Sequence, residues 1–591
     1  MTKRIAWLVV SCLMVAALLL ASCAAAEEEE EVVVTPGEEE EVVTPEEEEE
    51  AVAAPEEPKY GGVYRGRGGD PQGFDDAYAP PWMCFTLNLT NEEMTTGDWT
   101  KGPAGTGESG WTGEIDTYFQ HLQTASLAES WELPDAQTVI YHIRKGVHFH
   151  DKPPVNGREM TAEDVVYSIK RYTETPGSYG NTSTKPEERA TVTAPDKWTV
   201  VLKYPPAAIG QHYMRFSDFC RVVPQEMVEE WGDLQDWRAA CGTGPFILAD
   251  YVNMSSLTFE RNPNYWRKDP LHPENTLPYV DSLKLLIIED TSTSIAAMRT
   301  GKLDHLGVGW EDAESLMETN PELKYTRHLQ GFSWNIFMRV DQPELPFYDV
   351  RVRRALAMAV DNRAIAEDYY GGNAHILTSP IMPAPEFDCM YTPLEEQNEI
   401  VQELFGYHPE KAKQLLAEAG YPDGFKATIL CAGTGDLLSI YKEYWAAIGV
   451  ELEIEIKDWP VLASIAARRS HKEMILYYAG NSTPLAPASL APHLWENLSM
   501  IDDQRVNEAF EKVAENEANW DVVCSTLKET YPYVLEQCWM IEAPTNYDYN
   551  FWHPWLKNYH GEYSVGFFNG PNFLMYIWLD QDLREEMTGK R

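Results

Sequence analysis

The sequence predicts an α/β fold, and three observations carry that prediction. From Tyr60 onward, segments with strand-like alternation are interleaved with segments that have the apolar spacing of amphipathic helices. No repeat of fixed period interrupts this order. Hydrophobic residues make up 44% of the 591 residues and aromatic residues 12%, which is enough for a sizeable core. A chain of this length is expected to form two large lobes or roughly three to four domains.

Strands are predicted where apolar and β-branched residues alternate. They are a strand pair over 138–149, single strands over 198–204, 282–288 and 426–431, and the strands Ser256–Arg261 and Val450–Ile456. Residues 161–164 are typical of a capping box, and Asp349 and Asp361 each precede a helical pattern. Another helix is expected between Pro409, at its first position, and Gly420, just past its end.

The N-terminus has the form of an export and lipidation signal. A short basic region is followed by an apolar run over residues 5–20, which is too short for a typical membrane span. This favours a signal peptide over residues 1–22. Leu20-Ala21-Ser22-Cys23 is similar to a bacterial lipobox, so Cys23 is the predicted lipidation site and the first residue of the mature protein. The alternatives are a plain signal peptide and an uncleaved anchor.

Residues 23–58 are predicted to form a lipid-anchored, disordered tether. The stretch 24–58 holds 16 Glu and no Lys or Arg. Its like charges repel one another and it has little apolar surface to bury, so an extended and solvated chain is expected. Such a tether would hold a folded body away from a membrane and leave it mobile.

The charge of the chain excludes some partners. The formal net charge is −47, whereas nucleic-acid binding depends on Lys and Arg that neutralise phosphates. The same charge argues against docking of the body on an anionic lipid surface. We interpret the acidity as a device for solubility, with attraction of cationic solutes as the alternative.

The cysteines permit disulfides but do not fix them. Of nine Cys, seven lie after the predicted signal and anchor, and this odd number leaves at least one thiol free. An exported protein can form disulfides. The predicted pair is Cys220–Cys241, because both flank a segment that reads as an insertion, and the second choice is Cys524–Cys538.

No motif in the sequence carries enzyme chemistry. The patterns GxSxG, GxxxxGK[ST], HExxH and a strand-linked GxGxxG do not occur. His148 and His150 share a strand face and could suggest a metal site, but no third ligand is predictable, and a strand end that turns at Asp151 is the preferred explanation. We therefore expect a protein that is not an enzyme and has no cofactor or metal. A secreted hydrolase with an acid pair is the alternative class.

One long stretch resembles a known family. Residues 127–172 read LAESWELPDAQTVIYHIRKGVHFHDKPPVNGREMTAEDVVYSIKRY and are similar to the signature region of the extracellular solute-binding proteins, family 5. Similar pieces follow in the family's order: GTGPF at 242–246, RNPNYW at 261–266 and DVRVRRAL at 349–356. The members of this family are receptors of ABC importers for peptides, nickel or oligosaccharides.

The resemblance implies a two-lobed fold of the periplasmic-binding-protein type. Strands that cross between the lobes are expected near 331–339 and 540–547. Lobe I would then comprise 59–330 and the C-terminal return 545–591, and lobe II would comprise 331–544. The ligand would sit in the cleft between the lobes, which close over it by hinge motion.

The resemblance also implies the partners. The closed receptor would deliver its solute to a membrane permease and, through it, to ATPase subunits. The receptor would be a monomer that touches the membrane only through its lipid. A signalling or adhesion receptor that reuses the fold without a transporter is a further possibility.

The ligand class stays open between two alternatives. Peptide-binding members carry an acid in the segment that corresponds to 474–484, where it holds the α-amino group of the ligand. This sequence has Asn481 there, and a neutral amide cannot supply that charge-assisted bond. Oligopeptide is favoured by the family, and oligosaccharide by the missing acid and the many aromatic residues.

The candidate ligand-binding residues lie near the expected crossings and at the lip of the cleft. Aromatic side chains there offer a large contact area to flat or sugar-like groups. The candidates are Trp334, Trp459, Tyr477, Tyr478, Asn481, Trp539 and Tyr547. Core packing is the alternative for each of them.

Overall fold

Two sheets of unequal size organise the protein, and the chain passes between them twice. The structure is a computed structural model. It describes residues 56–79, 84–112, 120–135, 137–182, 186–205, 220–433, 435–481, 488–492, 495–516, 519–566 and 569–591. Residues 58–591 form one compact unit. The predicted signal peptide, Cys23 and the tether up to residue 55 lie outside the described residues.

The large sheet has eight strands. Their order is Lys324–Leu329, Thr545–Trp552, His305–Gly309, Val63–Gly68, Ser282–Ile287, Ser256–Arg261 and Phe246–Val252, with Ala374–His375 paired to Thr545–Trp552. Val63–Gly68 is parallel to both of its neighbours, and the other pairs are antiparallel. This sheet lies in the largest hydrophobic cluster together with the C-terminal segment.

The second sheet has five strands in the order Val450–Ile456, Phe425–Cys431, Met474–Gly480, Phe332–Met338 and Met540–Glu542. Alternation of apolar and charged residues along its edge strand shows that one face of this strand is buried. In Val450–Ile456, Val450 and Leu452 are buried while Glu451 and Glu453 are exposed, as expected for a strand with one covered face.

Three smaller sheets complete the β structure. A four-stranded antiparallel sheet contains Ala128–Asp135, Thr138–Ile143, Thr199–Lys203 and Thr191–Asp196. Two-stranded pairs join Thr95–Gly97 to Gln123–Ala125 and Leu556–Lys557 to Trp578–Leu579.

The helices flank these sheets. They are Leu87–Thr90, Ala162–Glu174, Tyr179–Thr182, Gln225–Trp231, Thr291–Arg299, Trp310–Thr319, Val350–Met358, Asn362–Ala364, Glu399–Leu404, Pro409–Glu418, Gly435–Ala447, Trp459–Ala467, Gln504–Glu515, Trp520–Gln537 and Gln581–Thr588. Interleaved helices and strands confirm the α/β class. Among the described residues, no helix has both the length and the apolarity that a membrane span requires.

The predicted caps are confirmed. The Asp164 carboxylate accepts the Thr161 N–H at 2.8 Å, which starts Ala162–Glu174. Asp349 accepts from the N–H of Arg351, and Asp361 accepts from the N–H of Ala364. The predicted strand pair over 138–149 is shorter, because the strand ends at Ile143 and the chain turns at Gly146, where φ is +75°.

The chain crosses between the two sheets at two adjacent places. Lys324–Leu329 belongs to the large sheet, and after Gln330-Gly331, the first crossing, the chain enters the second sheet as Phe332–Met338. It returns through Ala543-Pro544, the return crossing, to Thr545–Trp552. The crossings touch, since the Ala543 N–H donates to the Trp334 carbonyl at 2.9 Å.

The disulfide differs from both predicted pairs. Cys389 is bonded to Cys524, whereas Cys220, Cys241 and Cys538 are buried free thiols. Cys220–Cys241 was predicted because both residues flank a segment that reads as an insertion, but the fold instead brings together two cysteines that are separated by 135 positions.

Candidate ligand-binding site

A cavity opens at the carboxyl end of the central strand Val63–Gly68. It has a volume of about 460 Å³ and is lined by this strand end, the following loop and the C-terminal segment around Tyr563. The strand is parallel to both neighbours, and loops beyond the carboxyl ends of parallel strands are where α/β proteins commonly bind ligands. We call this space the strand-end cavity.

The charged groups of the strand-end cavity are held by partners of their own. The Arg67 guanidinium donates to the carbonyls of Ile288 and Glu289 at 2.8 and 3.1 Å. Asp70 accepts from the Tyr251 hydroxyl at 2.8 Å. Burial raises the pKa of Tyr251, and the hydrogen bond to the Asp70 carboxylate raises it further. These contacts fix the positions of the Arg67 guanidinium and the Asp70 carboxylate. A third acidic or basic residue of the lining, the buried Glu562, accepts from the Trp99 indole N–H at 3.1 Å.

The floor of the strand-end cavity is neutral. His305 lies between the hydroxyls of Tyr64 and Tyr559, at 3.4 and 3.0 Å from its ring nitrogens. Burial lowers the pKa of His305 to about 4, so its ring is uncharged at neutral pH. Tyr563 also lines the cavity and is 48% exposed.

Three of the predicted residues come together on the second sheet. Trp459 stacks on Tyr477 with ring centroids 5.4 Å apart and planes at 5°, and Tyr477 stacks on Tyr478 at 4.5 Å. Phe332 and Trp495 extend this group, at 5.8 Å from Tyr478 and 6.2 Å from Tyr477. We call these five residues the aromatic group.

The aromatic group presents apolar rings to solvent. Trp459 is 44% exposed and Tyr478 37%, whereas Tyr477 is buried beneath them. Stacked rings that remain accessible form a flat platform of the kind that binds planar groups or sugar rings. Phe332 and Trp495 were not predicted. The alternation of Phe332 with Trp334 along one strand was a usable signal, but nothing in the sequence marks Trp495.

The other predicted residues have different surroundings. Trp334 is half-buried and lies edge-on to Tyr478 at 6.5 Å. Trp539 is buried and packs edge-on against Tyr533. Tyr547 is half-buried beneath the Arg327 guanidinium, 4.6 Å from its ring centroid.

Asn481 is fully buried next to the first crossing. Its N–H donates to the Gly331 carbonyl at 3.1 Å, and its own carbonyl accepts from the Met382 N–H at 3.0 Å. Its side-chain oxygen and nitrogen have no hydrogen-bond partner within the described part of the chain. A buried amide without partners is costly, which makes Asn481 a suitable contact for a polar ligand.

The first crossing links the two candidate surfaces. His328 lies 6.0 Å from the ring of Tyr563, and four residues later Phe332 contacts Tyr478. Even fully extended at about 3.3–3.6 Å per residue, the four steps from His328 to Phe332, which include the first crossing, span at most about 14 Å. The strand-end cavity and the aromatic group therefore lie within reach of one ligand of a few residues or sugar rings.

The histidines that suggested a metal are engaged with the backbone. His148 Nδ1 lies 2.7 Å from the Gly157 carbonyl and His150 Nε2 lies 3.1 Å from the Gly244 carbonyl. Burial lowers the pKa of His150 to about 4. Over the ranges that the structure describes, no group of three His, Cys, Asp or Glu is placed to hold a metal.

Two sheets joined by adjacent crossings, with a cavity and exposed rings beside them, define a two-lobed solute-binding protein. The chain belongs to the bacterial extracellular solute-binding proteins, family 5: the model of the family's middle part matches residues 123–497, more than half of the chain.

Curated relatives cover part of the chain. Heme-binding protein A of Haemophilus influenzae is 28% identical over 361 residues, which are 56% of this chain and 62% of that protein. The dipeptide-binding protein of Escherichia coli K12 is 26% identical over 386 residues, 60% of this chain and 67% of that protein. The chain thus spans less than two thirds of the heme-binding relative. The family and these relatives are binding proteins rather than enzymes.

Solved structures share the two-lobed fold. The oligopeptide-binding protein AppA of Bacillus subtilis, in complex with a nonapeptide, has a TM-score of 0.64 at 19% identity and covers 88% of this chain and 100% of its own. HbpA2 of Haemophilus parasuis has a TM-score of 0.68 at 19% identity, with the same coverage. These likenesses establish the fold alone.

Proposed function

We propose that the chain is the solute receptor of an ABC importer and captures an oligopeptide or a similar polar solute between its lobes. Family membership carries this proposal. The strand-end cavity and the aromatic group supply the surfaces that such a ligand requires, one an open cavity with polar and apolar walls, the other flat and apolar. The receptor makes and breaks no covalent bond and needs no cofactor.

Lobe I comprises residues 59–330 and 545–591, and lobe II comprises 331–544. The change of sheet at both crossings supports these boundaries. The lobes close by rotation about the crossings, and a ligand that touches both of them makes the closed form dominant. Closed lobes then present a composite surface to the membrane permease, which is coupled to ATPase subunits.

The ligand contacts Tyr478, Trp459 and Asn481 on lobe II. The exposed rings of Trp459 and Tyr478 support this assignment, as does the side-chain amide of Asn481, which has no hydrogen-bond partner among the described residues. Trp334 lines the approach from the crossing. Trp539 and Tyr547 act as packing supports and do not touch the ligand.

Oligosaccharide is the second candidate for the ligand. The stacked and exposed aromatic group favours it, because sugar rings bind such platforms through their apolar faces. Asn481 favours it too, since an amide donates to and accepts from hydroxyl groups.

The receptor works at the outer face of a cell membrane as a monomer. Cleavage of residues 1–22 leaves Cys23 as a lipidated N-terminus, and the acidic tether that follows lets the body diffuse near its permease. Mass spectrometry of the membrane-extracted protein tests the anchor: an N-terminal peptide that starts at unmodified Ala24 or retains Met1 would contradict it.

A thermal-shift screen tests the function. The chain from Lys59 onward is unfolded and refolded to remove bound solute, then mixed with di- to pentapeptides, gluco-, manno- and xylo-oligosaccharides and Ni²⁺ chelates. A ligand at 100 times its Kd adds about 2.7 kcal/mol to the free energy of unfolding. The recovered compound must be unchanged, since cleavage would mean that the protein is a hydrolase.

Single-residue variants then locate the site. Trp459→Ala and Tyr478→Ala should each weaken the best ligand by about tenfold to a hundredfold, as expected for stacked aromatic contacts. Tyr348→Ala is the matched control, because Tyr348 is an exposed tyrosine that is 56% accessible. Equal affinity in all three variants would remove the aromatic group from the site and leave the receptor function standing.

A further inference from the structure

A small cavity lies beside the return crossing, and its residue Asn335 is the cross-strand neighbour of Tyr477 in the aromatic group. It has a volume of about 40 Å³, and its lining includes Asn335, Asn362, Ser379, Cys538 and Glu542. All five of these residues are buried. A space of this size holds about two water molecules. We call it the Glu542 cavity.

Acceptor oxygens crowd the Glu542 cavity. Glu542 and Asn335 lie directly opposite each other on neighbouring strands, so their side chains share one face of the sheet. Glu542 Oε1 accepts from the Thr378 N–H at 2.8 Å and from the Thr378 hydroxyl, and the Ser379 N–H also favours the charged carboxylate. Glu542 Oε2 makes no hydrogen bond of normal geometry in the described part of the chain.

The amide of Asn335 cannot donate to Glu542. Its Nδ2 donates to the carbonyl and hydroxyl of Ser333 at 3.1 and 2.9 Å. Asn335 Oδ1 has no hydrogen-bond partner in the ranges that the structure describes. Asn362 Oδ1 is also unpartnered among the described residues. Among the described residues, Glu542 Oε2, Asn335 Oδ1 and Asn362 Oδ1 are thus buried acceptors that need a hydrogen-bond donor. Burial of such oxygens is costly unless a donor, such as water or a protonated carboxyl group, lies between them.

The surroundings of Glu542 disfavour its charge. Among the described residues that line the cavity, none is Lys, Arg or His. The titratable groups that face Glu542 are the Cys538 thiol, the Tyr391 ring and Tyr441, whose hydroxyl donates to the Glu542 carbonyl at 3.4 Å. Arg353 is turned away and donates to backbone carbonyls, among them that of Gln537.

We propose that the Glu542 cavity is a proton-binding site: Glu542 carries a proton on Oε2 and donates it, through cavity water, to the oxygen of Asn335. When the proton is lost, it passes through that water to the solvent, and the carboxylate that remains draws water in by opening the cavity. Burial raises the pKa of Glu542 to about 8, which places this step in the physiological range.

The proton site acts on the return crossing. The Thr378 hydroxyl that contacts Glu542 also lies 2.7 Å from the Thr545 hydroxyl, and Thr545 is the first residue of its strand in the large sheet. Glu542, Thr378 and Thr545 therefore span Ala543-Pro544 with side-chain hydrogen bonds. A charge on Glu542 loosens the segment that joins the two sheets.

Cys538 supplies a built-in reporter of this opening, because it lines the cavity and is a free thiol. The rate at which N-ethylmaleimide modifies Cys538 in the full chain is measured by peptide mapping between pH 5.5 and 8.5. Each rate is divided by that of Glu542→Gln at the same pH, so that the ionisation of the thiol cancels.

The sign of the effect follows from linkage. The closed cavity binds the proton with a pKa of about 8 and the opened one with a pKa near 4.5, so closure is favoured at low pH and lost as the pH rises. The rate ratio should increase about tenfold per pH unit between 5.5 and 7.5, and level off near pH 8. Glu453→Gln, an exposed glutamate on the same sheet, should follow the wild-type profile.

Thr378→Val keeps the test decisive if Glu542→Gln does not fold. This variant removes a hydroxyl that stabilises the charged carboxylate of Glu542. The modification rate of Cys538 should therefore level off at a higher pH in Thr378→Val than in the wild type. A ratio that does not change with pH, or an unmoved profile in Thr378→Val, would overturn the proposal. Protection of Cys538 by added Na⁺ or K⁺ at constant pH would overturn it too, because the cavity would then hold a metal cation.

Discussion

Removal of the disulfide between Cys389 and Cys524 should lower the stability of the whole body. The perturbation is the double variant Cys389→Ala/Cys524→Ala, which opens a loop of 135 positions. In the chain-entropy account, a closed loop of this length removes about 17 cal/mol/K from the unfolded ensemble, or about 5 kcal/mol at 25 °C. The bond joins the segment after Pro385–Phe387 to the long helix Trp520–Gln537.

The free energy translates into a modest shift of the melting temperature. A body of this size has an entropy of unfolding of about 1.1 kcal/mol/K near 60 °C. A loss of 5 kcal/mol therefore lowers Tm by about 4–5 °C. Differential scanning calorimetry measures this shift, with and without reductant.

Reductant separates loss of the bond from loss of side-chain packing. The wild-type chain should lose about the same 4–5 °C in reductant, and the double variant should lose nothing further. Cys431→Ala is the matched control, since Cys431 is a buried free thiol and its variant should keep the full sensitivity to reductant. A wild-type Tm that does not respond to reductant, with both thiols alkylated in peptide maps, would refute the reasoning.

Two further changes test the ligand class and the core. Asn481→Asp should lower the Tm of the empty protein, because it places a carboxylate at a fully buried position. The same variant should bind peptides with a free amino terminus about tenfold to a hundredfold more tightly in titration calorimetry. N-acetylated peptides are the control, and their affinity should not change. Arg171→Leu should lower the free energy of unfolding in urea by about 3–5 kcal/mol, because the fully buried Asp75 carboxylate loses the guanidinium that contacts it at 2.8 and 2.5 Å. Arg238→Leu breaks an exposed ion pair with Asp236 and should lower the free energy of unfolding by less than about 1 kcal/mol.

Local signals in the sequence predicted single elements well. Ser256–Arg261 and Val450–Ile456 have the predicted bounds, because alternation of side chains is a property of a short segment. Trp459, Tyr477 and Tyr478 meet for a similar reason: the strand that carries the tyrosines lies near the helix that starts at Trp459, within one run of the chain.

Contacts between distant segments could not be predicted. The strand-end cavity joins Arg67 and Asp70 to Tyr563, nearly 500 positions later, and only the order of strands in the large sheet brings them together. The partners of Cys389 and Glu542 are also remote in sequence, Cys524 at 135 positions and Thr378 at 164. A hydrophobic pattern fixes which face of a strand is buried, but not which strand lies beside it.

The length of the ligand should decide whether the lobes close. Tyr563 belongs to the proposed lobe I and Tyr478 to lobe II, and the stretch from His328 to Phe332, which contains the first crossing, spans at most about 14 Å. A solute that reaches only one of these surfaces binds the open and closed forms equally and does not shift the equilibrium between them. To change the ratio of closed to open protein from 1:99 to 99:1, a ligand must bind the closed form about 10⁴ times more tightly than the open form.

A single amino acid or monosaccharide is therefore expected to bind without compaction, and a ligand of three or more units should reduce the radius of gyration in small-angle X-ray scattering. Tyr563→Ala should weaken the long ligand and leave the short one that contacts Tyr478 unaffected. Compaction by a monomeric unit would contradict the two-surface account, because closure would then not require contact with both lobes.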